Sequence, residues 1–428
     1  MHPSRRLMLS AAIAAALAGS WSAQAGIAPV AAEVLLTEGD ALAGSVISGL
    51  NPVFTDGDGK PGSIVALADG RRLIWYDGAV VFDSGTVVSP ILTGGESTIG
   101  IGNGGAFIYS PSADGDDAVW TQSGLLLLDG QPDPVAPGQF STFSSRPSML
   151  PDGRAVWVAG YSATAGGATL GRVLFRATTG ATTVFESLLR TGDVIGGAPI
   201  GTTGISFNFQ MSDSGEHLAV ILLRDTGSTL TDSTVLVDGV IRAEEGAPVV
   251  PAAPGENWQA FAGVAINDAG DWLLAGDTSG AAASDAFLAY NGAIQVREGD
   301  SLGGEALAAG SALRAISINN LGQAVHAWNT PGDVRKLFFA SDAGNLQDSV
   351  LLLKTGTPLD LDGNGSAEAV LVDVLGTFTT TTGLSLAEDG AVYVQASYTI
   401  DGTPFESLLR LNGGDVIFAN GFDPAGPL

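Results

Sequence analysis

The chain has 428 residues, 45 of them acidic and 18 basic, with no cysteine. A formal net charge of −27 works against nucleic acid and anionic membrane surfaces, which are bound through clustered Lys and Arg. An exported chain without cysteine has packing and bound ions in place of disulfides.

Residues 1–25 have the pattern of an export signal: Arg5 and Arg6, an apolar run from Leu7 to Gly19, then Ala23-Gln24-Ala25 before Gly26. The paired arginines also fit a twin-arginine leader, the alternative to the general secretory route. The expectation is a mature chain from residue 26 that is secreted or periplasmic, monomeric and without a membrane-spanning segment. No later apolar run approaches the ~18 residues that a span needs.

Glycine is the commonest punctuation, with 60 residues, and the Val/Leu/Ala/Thr runs show no 3.6-residue stripe. That combination predicts short strands joined by tight turns, with little helix. The first strand and turn, residues 33–40, stand alone with no preceding hairpin. From residue 45 onward a two-hairpin unit recurs about seven times.

The fifth copy is the cleanest. An apolar run over 261–266 leads to the turn Asn267-Asp268-Ala269-Gly270, and residues 272–275 run back. Runs over 286–290 and 293–297 then form a second hairpin around Tyr290-Asn291-Gly292, closed by Glu298-Gly299-Asp300. Asp-Gly and Asn-Gly suit such turns because they tolerate positive φ.

The first turn recurs at Asp56 to Gly59, Gly102 to Gly105, Leu150 to Gly153, Ser212 to Gly215, Asn319 to Gly322 and Ala387 to Gly390. The second recurs at Asp77-Gly78, Ser123-Gly124, Thr179-Gly180, Asp238-Gly239, Ala343-Gly344 and Asn412-Gly413. Copies follow one another at the ~40–50-residue scale of four-stranded propeller blades, or somewhat above it.

The predicted fold is therefore all-β: a seven-bladed β-propeller of four-stranded blades, formed by one repeat domain over 26–428 with a short tail from about residue 415. An eight-bladed ring and an open β-solenoid are the alternatives. The orphan strand at 33–40 is expected to complete the last blade; the competing closure uses residues 415–418.

The NxxG turns followed by apolar strands, at Asn267 and Asn319, resemble the bacterial exported proteins described as tandem-repeat NxxGxxAF-containing. The resemblance implies an exported propeller-like repeat protein and carries no established reaction. The segment Asp415-Val416-Ile417-Phe418-Ala419-Asn420-Gly421-Phe422-Asp423 is similar to an Ile-Phe-x-x-Gly-Phe-Glu tail found on varied exported proteins of Gram-negative bacteria.

The sharpest chemical motif is Asp360-Leu361-Asp362-Gly363-Asn364-Gly365-Ser366-Ala367-Glu368. Oxygen donors from Asp360, Asp362, Asn364 and Glu368, with the Ser366 carbonyl, suit a structural Ca²⁺; glycine at the sixth position makes the sharp turn. Asp56-Gly57-Asp58-Gly59-Lys60 is a weaker relative, and Asp114-Gly115-Asp116-Asp117 reads as a solvated turn. His217 and His326, each just after a first-hairpin turn, read as packed residues with one satisfied hydrogen bond.

Glu38/Asp40 and Glu298/Asp300 read as carboxylates that accept backbone N–H groups at closing turns. The glycines of 100–105 lead into a strand, not a helix, which excludes a phosphate loop. Tryptophans 75, 120, 157, 272 and 328 fall in apolar strands, where burial is the default; Trp258 is the surface candidate.

No catalytic constellation stands out: there is no G-x-S-x-G elbow, H-E-x-x-H helix or P-loop. The expected function is a non-enzymatic exported scaffold that binds a protein or glycan. The alternative is a propeller hydrolase or lyase acting on extracellular polysaccharide. Polar residues converging from several blades, with one perturbed carboxylate among them, would favour the enzyme; a channel lined by small apolar residues would count against it.

Overall fold

In the computed structural model, the residues described are 28–95, 97–180, 182–201, 207–249, 255–375 and 384–412. The export signal and residues 415–418 lie outside them. Among the described residues helix is limited to three short 3₁₀ segments, Ser84–Thr86, Asn103–Gly105 and Ala343–Asp348. None is long and apolar enough to cross a membrane.

Among the described residues the strands form seven sheets of four to six strands and two two-stranded ribbons. Six of the sheets are each made from one contiguous stretch: 41–83, 92–128, 140–190, 208–244, 258–297 and 312–354. In the four sheets over 140–190, 208–244, 258–297 and 312–354 every strand pairs antiparallel with the next, so the chain zigzags outward from an inner to an outer strand. Six contiguous blades differ from the seven consecutive units expected, because the remaining sheet is composite.

That seventh sheet takes its inner and middle strands from residues 358–412 and its outer strand, Val30–Thr37, from the other end of the described chain. Val30–Thr37 lies antiparallel on Thr403–Asn412, pairing Ala32 with Leu411 and Thr37 with Ser407. It also runs parallel to Pro358–Asp360, with Ala31 opposite Asp360. The orphan strand read from the sequence is thus the closing strand.

The core follows from strand periodicity. Successive side chains point to opposite faces, and both faces of each sheet are covered, so strands read as continuous apolar runs. Along Ala155 to Ala159, Val156 and Val158 pack toward the fourth sheet, while Ala155, Trp157 and Ala159 pack toward the second.

The described core consists of seven such clusters, each shared by two neighbouring sheets. The last joins Ala387, Ala391, Tyr393 and Leu408 of the composite sheet to Ile47, Val65 and Trp75 of the first. Packing therefore runs in a closed circuit, the arrangement of a β-propeller, and the open solenoid is excluded.

The turns sort by chemistry. Asp77-Gly78, Asp238-Gly239 and Asn291-Gly292 have positive φ at both residues, as two-residue hairpin turns require. Asp342-Ala343-Gly344 differs: it opens a 3₁₀ segment, with Asp342 Oδ1 accepting Gly344 N–H at 2.8 Å. Gly180 keeps negative φ in a longer connection between strands ending at Thr178 and starting at Val184.

Candidate functional site

The inner strands of all seven sheets surround one axial channel enclosing about 190 Å³. Its walls are more polar than apolar; Phe54, Ile101, Met149, Met211, Ile316 and Leu386 contribute to them while also packing in the cores between sheets. Polar groups gather toward the ends: Asp56, Asp213, Asn320 and Glu388 come from first-hairpin turns or beside them, while Arg146 and Asn208 lie earlier on their strands. At ~3.3 Å per residue, the four-residue step from Arg146 to Leu150, or from Asn208 to Ser212, separates the two polar levels by ~13 Å.

The turn end is held by bonds passing from one turn to the next. Asn267 Oδ1 accepts the N–H groups of Ala269 and Asp271, while its Nδ2 donates to Asn319 O at 3.1 Å. Asn319 repeats this, accepting from Gln323 N and donating to Ala387 O at 2.9 Å. One position further on, Ser214 N donates to Asp268 Oδ1, Asp268 N to Asn320 Oδ1, and Asn320 N to Glu388 Oε1. The repeated asparagine therefore closes its own turn and ties it to the neighbouring sheet.

This geometry crowds carboxylates at one mouth. Burial, together with Asp268, Glu388 and Asp56, pushes the Asp213 carboxyl up to about 6. Burial and Asp268 also raise Glu388, against the hydrogen bond from Asn320. Asp56 is held differently: Asp58 N and Lys60 N donate to Oδ1 and Tyr76 OH to Oδ2. That turn is closed by its own backbone, so its weak likeness to an ion loop is accounted for. Asp114 likewise accepts Ile91 N in a hairpin turn.

The second candidate is the Asp360 loop, between the strands Pro358–Asp360 and Ala369–Leu375. Single carboxylate oxygens of Asp360, Asp362 and Glu368 lie within 4.8 Å of one another. Asp360 accepts Gly363 N, Asn364 N and Gly365 N, and Glu368 Oε2 accepts Leu361 N. Asn364 instead faces its own loop, Oδ1 accepting Ser366 N and Nδ2 donating to Asp362 Oδ2. Three of the five predicted ligand residues thus present their carboxylates together, while the Asn364 side chain is engaged within the loop.

The remaining singled-out residues are structural. His326 is fully buried; Trp328 Nε1 donates to its Nδ1 at 2.9 Å, so Nε2 carries the proton toward Ser349 Oγ at 3.0 Å. Burial lowers its pKa to about 3. His217 sits half-buried against Asp238 at 2.9 Å, beside Gly270 of the next sheet's turn.

Glu298 accepts Asp285 N and Gly310 N, and Asp300 accepts Arg297 N. Trp258, expected at the surface, is 5% exposed and packs on Phe261 and Phe287; the apolar strand extends three residues earlier than its sequence suggested. A Cβ on Gly100 would overlap the backbone of Ser148 and Met149, and one on Gly102 would approach Leu150 O to 2.6 Å. Those glycines let two inner strands meet, which the phosphate-loop comparison had no means of indicating.

No family model matches the chain, and neither does any curated protein. Several solved structures are similar to it. BBS1N, crystallised in complex with ARL6DN, is 9% identical over 91% of this chain and 99% of its own, with TM-score 0.39. The WD40 β-propeller domain of Doa1 is 9% identical over 88% and 96%, with TM-score 0.38. Prolyl oligopeptidase B from Galerina marginata is 11% identical over 85% of this chain and 47% of its own, with TM-score 0.39.

Proposed function

We propose that the protein is an exported binding scaffold: a propeller in which the composite sheet is the seventh blade and the axial channel receives part of a protein or glycan ligand. One observation above all supports this. The inner strands of every sheet meet around one concave channel, in which apolar side chains are joined by polar groups converging from several sheets, as recognition of a ligand requires. The export pattern of residues 1–25 and the resemblance to exported NxxGxxAF proteins agree with this reading.

The Asp360 loop is proposed to hold a structural Ca²⁺. Its donors are hard oxygens, and Asp360 is paired with Ala31 of the closing strand. The ion would offset repulsion among Asp360, Asp362 and Glu368 and stiffen the loop next to the seam.

A second reading, a hydrolase or lyase acting on extracellular polysaccharide, is favoured by Asp213. A carboxyl raised to about 6 beside other carboxylates is the state expected of a general acid. A glycan and surface-protein binding screen, run with a polysaccharide depolymerisation assay, separates the two readings. Retention of a ligand without bond cleavage supports the scaffold. Cleavage that is abolished by Asp213→Asn, or a screen with no ligand, contradicts it.

A further inference from the structure

We propose that residues 415–419 are a reserve outer strand for the composite sheet: they pair with Thr403–Asn412 before the two ends of the chain meet, and are displaced when Val30–Thr37 takes that edge. The proposal does not depend on what the axial channel binds.

The outer strands of all seven described sheets share one layout. In the fifth sheet Ala293 pairs with Tyr290, a bulge skips Gln295 two positions on, and Gly299 stands six positions on. Counted from Ala79, Gly124, Glu186, Val240 and Val350, the other contiguous sheets keep both spacings. Val30–Thr37 keeps them too, counted from Glu33 opposite Arg410: Leu35 is skipped and Gly39 is the glycine. The sequence carries the same layout once more from Asp415, with Ile417 two positions on and Gly421 six positions on. It therefore holds one more such segment than the seven sheets have outer edges.

The match extends to the side chains. Glu33 Oε2 lies 3.8 Å from Arg410 Nη1, and Asp415 puts another carboxylate at the same position of the layout. Val34 packs on the core shared with the sixth sheet, and Leu35 and Leu36 on the core shared with the first; Val416, Ile417 and Phe418 are apolar at those positions. The connection is suited to pairing as well. Asn412-Gly413 follows directly from Thr403–Asn412 and is the turn dipeptide that the fifth sheet uses at Asn291-Gly292.

Distance along the chain decides which segment arrives first. Thr37 and Ser407 are 370 residues apart, whereas Asp415 reaches Arg410 within one hairpin. Hairpins close in ~1–10 μs, and long-range pairing is slowed by the entropy of closing its loop. Until the ends meet, Thr403–Asn412 presents an unpaired backbone edge beside Leu409 and Leu411, a template for association with other chains. The reserve strand covers it. At equilibrium Val30–Thr37 holds more contacts. Val30 and Ala31 also pair with Leu359 and Asp360, positions given up to the turn at 412–413 in the reserve arrangement. Gly39 N donates to Ile47 O as the chain enters the first sheet. The reserve strand therefore yields the edge.

Thermal unfolding of four chains, 26–428, 26–413, 41–428 and 41–413, tests this. With Val30–Thr37 present, removing the tail should leave the midpoint within ~1 °C. Without it the tail holds the edge, and removal should lower the midpoint by at least ~2 °C or abolish the cooperative transition. Since 41–428 recovers only part of the pairing, it still unfolds below 26–428. Refolding from urea is the second readout: at equal concentration 26–413 should return at most about half the soluble yield of 26–428. An equal effect of tail removal with and without Val30–Thr37, or no effect in either case, overturns the proposal. Should neither chain starting at residue 41 fold, equal refolding yields of 26–413 and 26–428 overturn it.

Discussion

Asn267 and Asn319 are 3% and 2% exposed, and each bonds within its own turn and to the next sheet. Replacing either by Ala leaves buried backbone groups of two turns without partners. A loss of about 2–3 kcal/mol is expected for each in urea denaturation, since every unsatisfied buried group costs ~1–3 kcal/mol. The sequence made these asparagines conspicuous as motif positions. It did not disclose their second bond, because the acceptors, Asn319 O and Ala387 O, lie 52 and 68 residues away.

The two most perturbed described side chains with values in the working range act in opposite directions. His326 is held neutral in the fold, with its pKa lowered from 6.5 to about 3. Below pH ~6.5 the unfolded chain takes up a proton that the folded chain refuses, so this contribution is complete above that pH and lost on acidification. Each unit is worth up to about 1.4 kcal/mol. His326→Gln should flatten the fall in stability between pH 6 and pH 4, and an unchanged slope would contradict the buried neutral histidine.

Asp213 runs the other way. Its pKa is raised from 3.8 to about 6, so the folded state holds the proton more tightly, and stability is lost as pH rises across that window. Asp213→Asn is therefore expected to stabilise the fold at pH 7 by about 1–2 kcal/mol. The sequence placed Asp213 in a turn, but its crowding with Asp56, Asp268 and Glu388 exists only once the turns of separate sheets meet.

Strand pairs were the most legible elements, since each hairpin is local and its turn residues state the required φ. Apolar runs such as 286–290 and 293–297 became the strands Ala286–Tyr290 and Ala293–Arg297 without adjustment. Trp258 was misjudged because the flanking Glu256 and Asn257 gave the segment a polar look; pairing with Thr278 carries the strand outward to include it. The Asp360 loop was legible as a ligand pattern, and three of its carboxylates do converge. Chelator should lower the unfolding midpoint by a few degrees and increase hydrogen exchange around Val30 and Ala31. Asp360→Ala should reproduce both changes and abolish the chelator response; no change in either measurement would remove calcium from the seam.

At the scale of the molecule, the circuit depends on one long-range pairing. Six sheets are contiguous in sequence, but the composite sheet joins Val30–Thr37 to Thr403–Asn412, and no local signal specifies that contact. What announced it was a mismatch: a strand and turn at 33–40 lacking the hairpin that every other copy possesses. The seam is also polar, with Thr37 Oγ1 and Ser407 Oγ 2.9 Å apart, and Gln395 Nε2 donating to Leu50 O and Glu406 Oε1. A chain starting at residue 41 loses the outer strand of that sheet while the axial lining residues are retained.

Thermal unfolding of that chain beside one starting at residue 26 tests the closed circuit most directly. Loss of the strand pairing removes several backbone hydrogen bonds at ~1 kcal/mol each and opens Leu409 and Leu411 to water. The shortened chain should unfold at least ~5 °C lower, or without a single cooperative transition. An identical midpoint and equally sharp transition in the two chains would contradict closure by Val30–Thr37.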